Sequence, residues 1–100
     1  MSTLRWNGPT TYEDGLAYGQ ADHGGYEIEV NGQSAVAVPV AWNSANTYTF
    51  PVKDLPHLKQ GTNALRMRTV AANGEVSVWT DPTTFSFRST PKAPTGVVVG

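Results

Sequence analysis

GYEIEVNGQSAVAVPV, residues 25–40, alternates apolar and other side chains on both sides of an Asn-Gly dipeptide, and that pattern decides the fold class. In an extended strand successive side chains point to opposite faces, so Tyr26, Ile28 and Val30 share an inward face while Glu27 and Glu29 point outward. Asn31-Gly32 suits the positive φ angles of a tight hairpin turn. Val36, Val38 and Val40 then resume the alternation. Pro39 has no N–H to give to a ladder, which marks this returning strand as a sheet margin.

The same period runs outward in both directions. TLRW places Leu4 and Trp6 on one face before NGPTTYEDG breaks the strand with Gly, Pro and Asp. TYTFPV sends Tyr48, Phe50 and Val52 to one side, and Leu55 follows as a plug at the next corner. ALRMRTVA buries Leu65 and Met67 and turns Arg66 and Arg68 outward; Asn73-Gly74 then signals a hairpin, and the last core strand returns through VSVWTDPTTFSF. No window sustains the i, i+3, i+4 stripe of an amphipathic helix. The chain is therefore read as all-β, with six or seven short strands in an immunoglobulin-like β-sandwich over residues 1–87 and an extended C-terminal tail over 88–100. Trp6, Tyr26, Ile28, Phe50, Leu65 and Met67 are expected to form one core between two sheets.

Composition narrows the function. The chain has 100 residues, enough for one small core. Seven Lys and Arg stand against eight Asp and Glu, without the basic excess that binding a phosphate backbone demands, so no nucleic-acid partner is expected. With no cysteine there is neither a disulfide nor a thiolate metal site. The longest apolar run, Ala35 to Trp42, is far short of a membrane span, and no membrane partner is expected. MSTLRWNG carries no charged leader followed by an apolar stretch, so the expectation is either a chain kept in the cytoplasm until assembly or an excised piece with an added start.

Catalysis requires convergent polar groups with tuned protonation, and no such constellation stands out. Glu13, Asp14, Asp22 and His23 crowd one loop, yet lack the alternating Asp spacing of a calcium loop and read as a solvated turn. His57 has no second histidine at ligand spacing. Neither a nucleophile elbow nor a phosphate loop occurs. The chain is read as not an enzyme, with no cofactor and no metal. Tyr12 and Tyr18 flank the acidic loop and Trp42 follows the edge strand, offering a platform to stack a sugar ring or anchor a protein. For Trp42 the alternative is a ring folded over the sheet edge as core.

LRWNGPTTYEDG followed by GGYEIEV resembles the second and third strands of a fibronectin type III domain of the bacterial and bacteriophage kind. TYTFPVKDL resembles the fifth strand, and LRMRTVAANGEVSVW the sixth strand, its hairpin and the start of the seventh. The resemblance implies that Trp6 is the central core tryptophan and Tyr26 its partner on the other sheet. It also implies that Trp79, in SVWT, stacks on the neighbouring strand's Arg66 and Arg68 in a structural role. Two departures stand out. Asn63 and Ala64 occupy the place of a corner-tying tyrosine, leaving Leu55 and Leu58 to secure that corner. The first strand is missing, since Met1 to Thr3 leave no room for it ahead of Leu4, while KAPTGVVV resembles it at the far end of the chain.

The expectation that follows is a non-enzymatic structural or interaction module, a small bacteriophage virion protein that decorates a capsid or joins a tail, assembled in the host cytoplasm. Its partners would be other virion proteins or copies of itself. The alternative is an extracellular spacer or carbohydrate-contacting module of a secreted bacterial glycoside hydrolase, with the tail leading into a following domain. In the first case Val97, Val98 and Val99 dock on a partner, with Pro91 and Pro94 holding the lead-in extended.

Overall fold

A computed structural model describes residues 3–100. Met1 and Ser2, on which the absence of a strand ahead of Leu4 was expected to rest, lie outside the described residues. The chain is all-β, with six strands among the described residues: β1 (Thr3–Asn7), β2 (His23–Val30), β3 (Val36–Val38), β4 (Thr47–Pro51), β5 (Gly61–Ala71) and β6 (Thr83–Phe87). Two single 3₁₀ turns, Gln20–Asp22 and Val52–Asp54, are the helical content among the described residues. The strands form a two-stranded sheet, β1-β4, and a four-stranded sheet in the order β3-β2-β5-β6. All pairings are antiparallel.

The β2–β3 hairpin turns at Asn31 and Gly32, whose φ angles of 54° and 73° are both left-handed, and Gln33 N–H donates to the Val30 carbonyl at 3.1 Å. Two positive φ angles in a two-residue turn match the twist of the strands, and Asn and Gly accept them at least cost. β3 lies at the sheet margin, and Pro39 falls just past its end. Its expected inward face is only partly realised. Val38 is buried, whereas Val36, opposite Ile28 on the outermost strand, is 39% exposed.

Tyr26, Ile28 and Val30 from β2 meet Leu65 and Met67 from β5 and Tyr48 from β4 in one buried cluster, closed at one end by Val52 and Leu55. Trp6 and Phe50, expected inside, are only partly buried against it. The reason is the width of the small sheet. Two strands cover four, so β1 is itself a margin and its Trp6 keeps one side open.

The last strand departs from the continuous run expected of VSVWTDPTTFSF. Only Thr83–Phe87 forms regular β6; residues 76–80 follow β5 through side chains as well as backbone. Ser77 N–H donates to the Thr69 carbonyl at 2.9 Å and Thr80 N–H to the Met67 carbonyl at 2.9 Å. In return, Ser77 Oγ accepts from Thr69 N–H at 2.9 Å and Thr80 Oγ1 from Met67 N–H at 3.0 Å. Two hydroxyls thus stand in for ladder carbonyls, satisfying β5 donors that an irregular neighbour would leave unpaired.

Beyond Phe87 every residue is exposed and none is in a strand. Gln60 exchanges two hydrogen bonds with Ser89, its Oε1 accepting from the backbone N–H at 3.1 Å and its Nε2 donating to Oγ at 3.2 Å. Past that clasp the arm leaves the body, and the molecule extends 71 Å along its long axis against 28 and 18 Å across. The radius of gyration, 17.7 Å, exceeds the roughly 13 Å of a compact chain this long.

Candidate functional site

The loop from Gly8 to Asp22 is an ordered excursion held by its own turns. Thr11 bridges Ala17, Tyr12 N–H donates to the Leu16 carbonyl at 2.7 Å, and Asp14 Oδ1 accepts from Leu16 N–H at 3.0 Å. Asp22 Oδ2 accepts from Gly19 N–H at 2.9 Å, and its carbonyl accepts from Ala72 N–H at 2.8 Å, tying the loop to the turn after β5. Asp14 and Asp22 therefore serve the backbone. Among the described residues no three His, Asp or Glu side chains converge on a point that an ion would occupy.

Tyr12, Tyr18 and Trp42 do not make one flat platform. Tyr18 is buried, and its ring meets Tyr12 edge-on at 5.2 Å and 71°. The Tyr18 hydroxyl shares a 2.9 Å hydrogen bond with His23 Nδ1, and the His23 ring lies 4.8 Å from Tyr26 and 5.4 Å from the half-buried Trp42. The string continues inward to Trp6 and Tyr48, which stack at 5.7 Å. Burial pushes the Tyr18 hydroxyl pKa up and the His23 imidazole pKa down, since each charged form would be poorly solvated there. Of the three candidates, Tyr12 is left facing solvent at 39% exposure.

Tyr12 borders an open cleft of about 500 Å³ between the loop and the strand-like segment 75–78. Its walls combine Tyr12, Val76 and Val78 with the carboxylates of Glu13, Asp14 and Glu75. Sequence reasoning did not single out Val76 or Val78, because alternation does not say which face lies uncovered. A second groove, about 220 Å³, runs beside β1, floored by Trp6, Tyr26, Leu65 and Met67 and rimmed by Arg5, Thr80 and Thr83. The arm stands apart from both, with Val97, Val98 and Val99 exposed at 76%, 86% and 103%.

The outer face of β2 and β5 carries a charged ladder. Arg66 donates to Glu29 through Nε at 2.9 Å and Nη2 at 3.0 Å, and Arg68 donates to Glu27 through Nε at 2.8 Å. Trp79 lies over both guanidinium groups, 4.7 Å from Arg66 Cζ and 4.4 Å from Arg68 Cζ. Strand register explains the set: Glu29 sits opposite Arg66 and Glu27 opposite Arg68, with period two keeping all four on one face.

At the corner expected to depend on Leu55 and Leu58, Asn63, 1% exposed, adds a hydrogen-bonded tie. Its Oδ1 accepts from Lys59 N–H at 2.9 Å and Asn31 Nδ2 at 2.8 Å; its Nδ2 donates to the Lys59 carbonyl at 2.8 Å and the Gly61 carbonyl at 3.1 Å. Asn31 completes the knot by accepting from Ala64 N–H at 3.0 Å and donating to the His57 carbonyl at 3.1 Å. Leu55 is buried and Leu58 partly so, packing beneath this network. No family model matches the chain, and neither a curated protein nor a solved structure matches it.

Proposed function

We propose that the chain is a fibronectin type III-like, immunoglobulin-like sandwich acting as a non-enzymatic structural module, a bacteriophage virion protein that decorates the capsid or joins the tail and is assembled in the host cytoplasm. The strand order supports the fold, since β1-β4 facing β3-β2-β5-β6 is the arrangement such a sandwich has without its first strand. One observation carries the function: an arm that holds three valines in water, away from the body that made it. Contiguous exposed apolar surface marks a place where another molecule is met. Mass spectrometry of density-purified particles from the source culture tests this reading. Recovery of the chain at a fixed ratio to the major coat protein supports it, and recovery only in a particle-free secreted fraction overturns it.

The cleft beside Tyr12 favours a second reading, a carbohydrate-contacting module of a secreted hydrolase. An exposed ring flanked by carboxylate acceptors is suited to stack a pyranose and bond its hydroxyls. A glycan array separates the two: binding that disappears in Tyr12→Ala selects the second reading, and no binding removes it.

A further inference from the structure

We infer that the groove beside β1 is an acceptor for the arm of a second copy of this chain, residues 95–99 entering as a third strand of the small sheet. The inference rests on the reading of the chain as an interaction module and names its partner. The acceptor is defined by an imbalance of layers. Two strands lie over four, and on the β1 side the apolar floor of Trp6, Tyr26, Leu65 and Met67 is left open as a groove of about 220 Å³. Along that side the outer backbone edge of β1 is unpaired among the described residues. An unpaired edge next to an apolar trough is what an added strand satisfies, through backbone hydrogen bonds and alternate side chains together.

The donor is on the same molecule and does not use the groove. Val97, Val98 and Val99 are 76–103% exposed, and at period two Val97 and Val99 enter the trough while Val98 faces outward. The direction of the chain disfavours self-insertion. Phe87 pairs with Gly61, and Thr3 pairs with Pro51 at the other end of the corner that leads into Gly61, so β6 leaves the body at the end where β1 begins. An arm turning back there runs parallel to β1, against the extended lead-in that Pro91 and Pro94 impose. The arm of another copy approaches from the opposite end and pairs antiparallel, the more stable arrangement. The 13 residues from Arg88 to Gly100 span about 43 Å when extended, enough to leave one body and lie along the next.

The chain has no cysteine, so introduced thiols report on this geometry directly. Arg5→Cys at the rim of the groove and Val98→Cys on the arm are placed in separate full-length chains, mixed and oxidised. The expected result is a mixed disulfide between the two, with its yield cut about tenfold or more when Val97→Asp is added to the donor, because a carboxylate entering an apolar trough is strongly penalised. The inference is overturned by any of three results. The mixed disulfide forms no faster than with Thr84→Cys, on the edge of β6. The disulfide forms within a chain carrying both cysteines and not between separate chains. The yield is indifferent to Val97→Asp. Each of these leaves the interaction-module reading standing, since that is decided by the composition of purified particles.

Discussion

The corner at Asn63 and the ladder of Arg66 and Arg68 beneath Trp79 are both polar assemblies anchored on β5, a few residues apart, and they hold the chain by different physics. At the corner one amide, 1% exposed, makes four hydrogen bonds where water has no access. In the ladder two Glu–Arg pairs and an indole lie on an outer face, with side-chain exposures of 38% for Arg66 and 26% for Arg68. Water competes for every group of the ladder and for none at the centre of the corner. The number of contacts is therefore a poor guide to what each contributes.

The largest expected effect breaks the corner. Asn63→Ala leaves two backbone carbonyls, the Lys59 N–H and the Asn31 amide short of partners, and is expected to destabilise by about 3 kcal/mol or more. Chemical denaturation of the full chain measures it. Asn63→Asp retains the acceptor but turns a carboxylate oxygen toward the Lys59 and Gly61 carbonyls; it should lose nearly as much at neutral pH and recover part of the loss when protonated. A loss below about 1 kcal/mol for Asn63→Ala places the corner's strength in Leu55 and Leu58 instead.

Removing the indole sharpens the other side. Trp79→Ala withdraws two partly exposed cation–π contacts while leaving both carboxylate pairs in place, and is expected to cost about 1–2 kcal/mol. Its salt dependence discriminates. If the carboxylate pairs contribute little by themselves, as exposed pairs usually do, high salt should weaken the parent and the variant by similar small amounts.

The ladder was legible in the sequence and the corner was not. Arg66 and Arg68 alternate with buried Leu65 and Met67, Glu27 and Glu29 alternate with Tyr26 and Ile28, and period two puts charge opposite charge as soon as β2 pairs with β5. Asn63 offers no such signal. A buried asparagine and a turn asparagine are written alike, and only the chain path that brings Lys59, Gly61 and Asn31 around one side chain tells them apart. The candidate site was legible to the same degree. Tyr12 stood out as an aromatic beside the acidic loop, and the valine arm by its resemblance to a displaced first strand, but neither showed the burial of Tyr18 by the packed loop or the cleft that Val76 and Val78 wall.

His23 lies between the two regimes, half-buried with one ring nitrogen bonded to Tyr18 and Nε2 without a partner among the described residues. Burial lowers its pKa in the folded state, so below about pH 6.5 the unfolded chain takes up the proton first. The stability that the neutral ring contributes is complete above that pH and declines as the solution becomes more acidic. A smaller effect than either substitution is expected, read as a fall in melting temperature between pH 7 and 5 that is reduced in His23→Gln. An unchanged slope in that variant assigns the acid limb to the carboxylates.

The smallest effect tests whether burial or bonding makes the corner strong. The Tyr26 hydroxyl is enclosed like the Asn63 amide, yet among the described residues it makes no hydrogen bond of regular geometry, and the neighbouring Tyr48 hydroxyl donates elsewhere, to Asn46 Oδ1 at 3.1 Å. If enclosure alone gave polar groups their value, deleting this oxygen would cost as much as deleting the amide. If the value lies in bonds that water cannot replace, Tyr26→Phe removes a desolvated group that gains nothing in return. Stability should then be unchanged or raised by up to about 1 kcal/mol, with the ring packing on Trp6 and Tyr48 preserved. The alkaline limb gives an independent reading. Burial first, and the adjacent Tyr48 second, hold the Tyr26 pKa well above 10.0, so this residue's stability is complete below pH 10 and is lost as the unfolded chain ionises above it. Tyr26→Phe should flatten that limb, leaving the smaller part that Tyr18 contributes in the same direction. A loss of 2 kcal/mol or more at neutral pH would mean that the hydroxyl is bonded after all, and the contrast between a bonded and an unbonded buried group would fail at this residue.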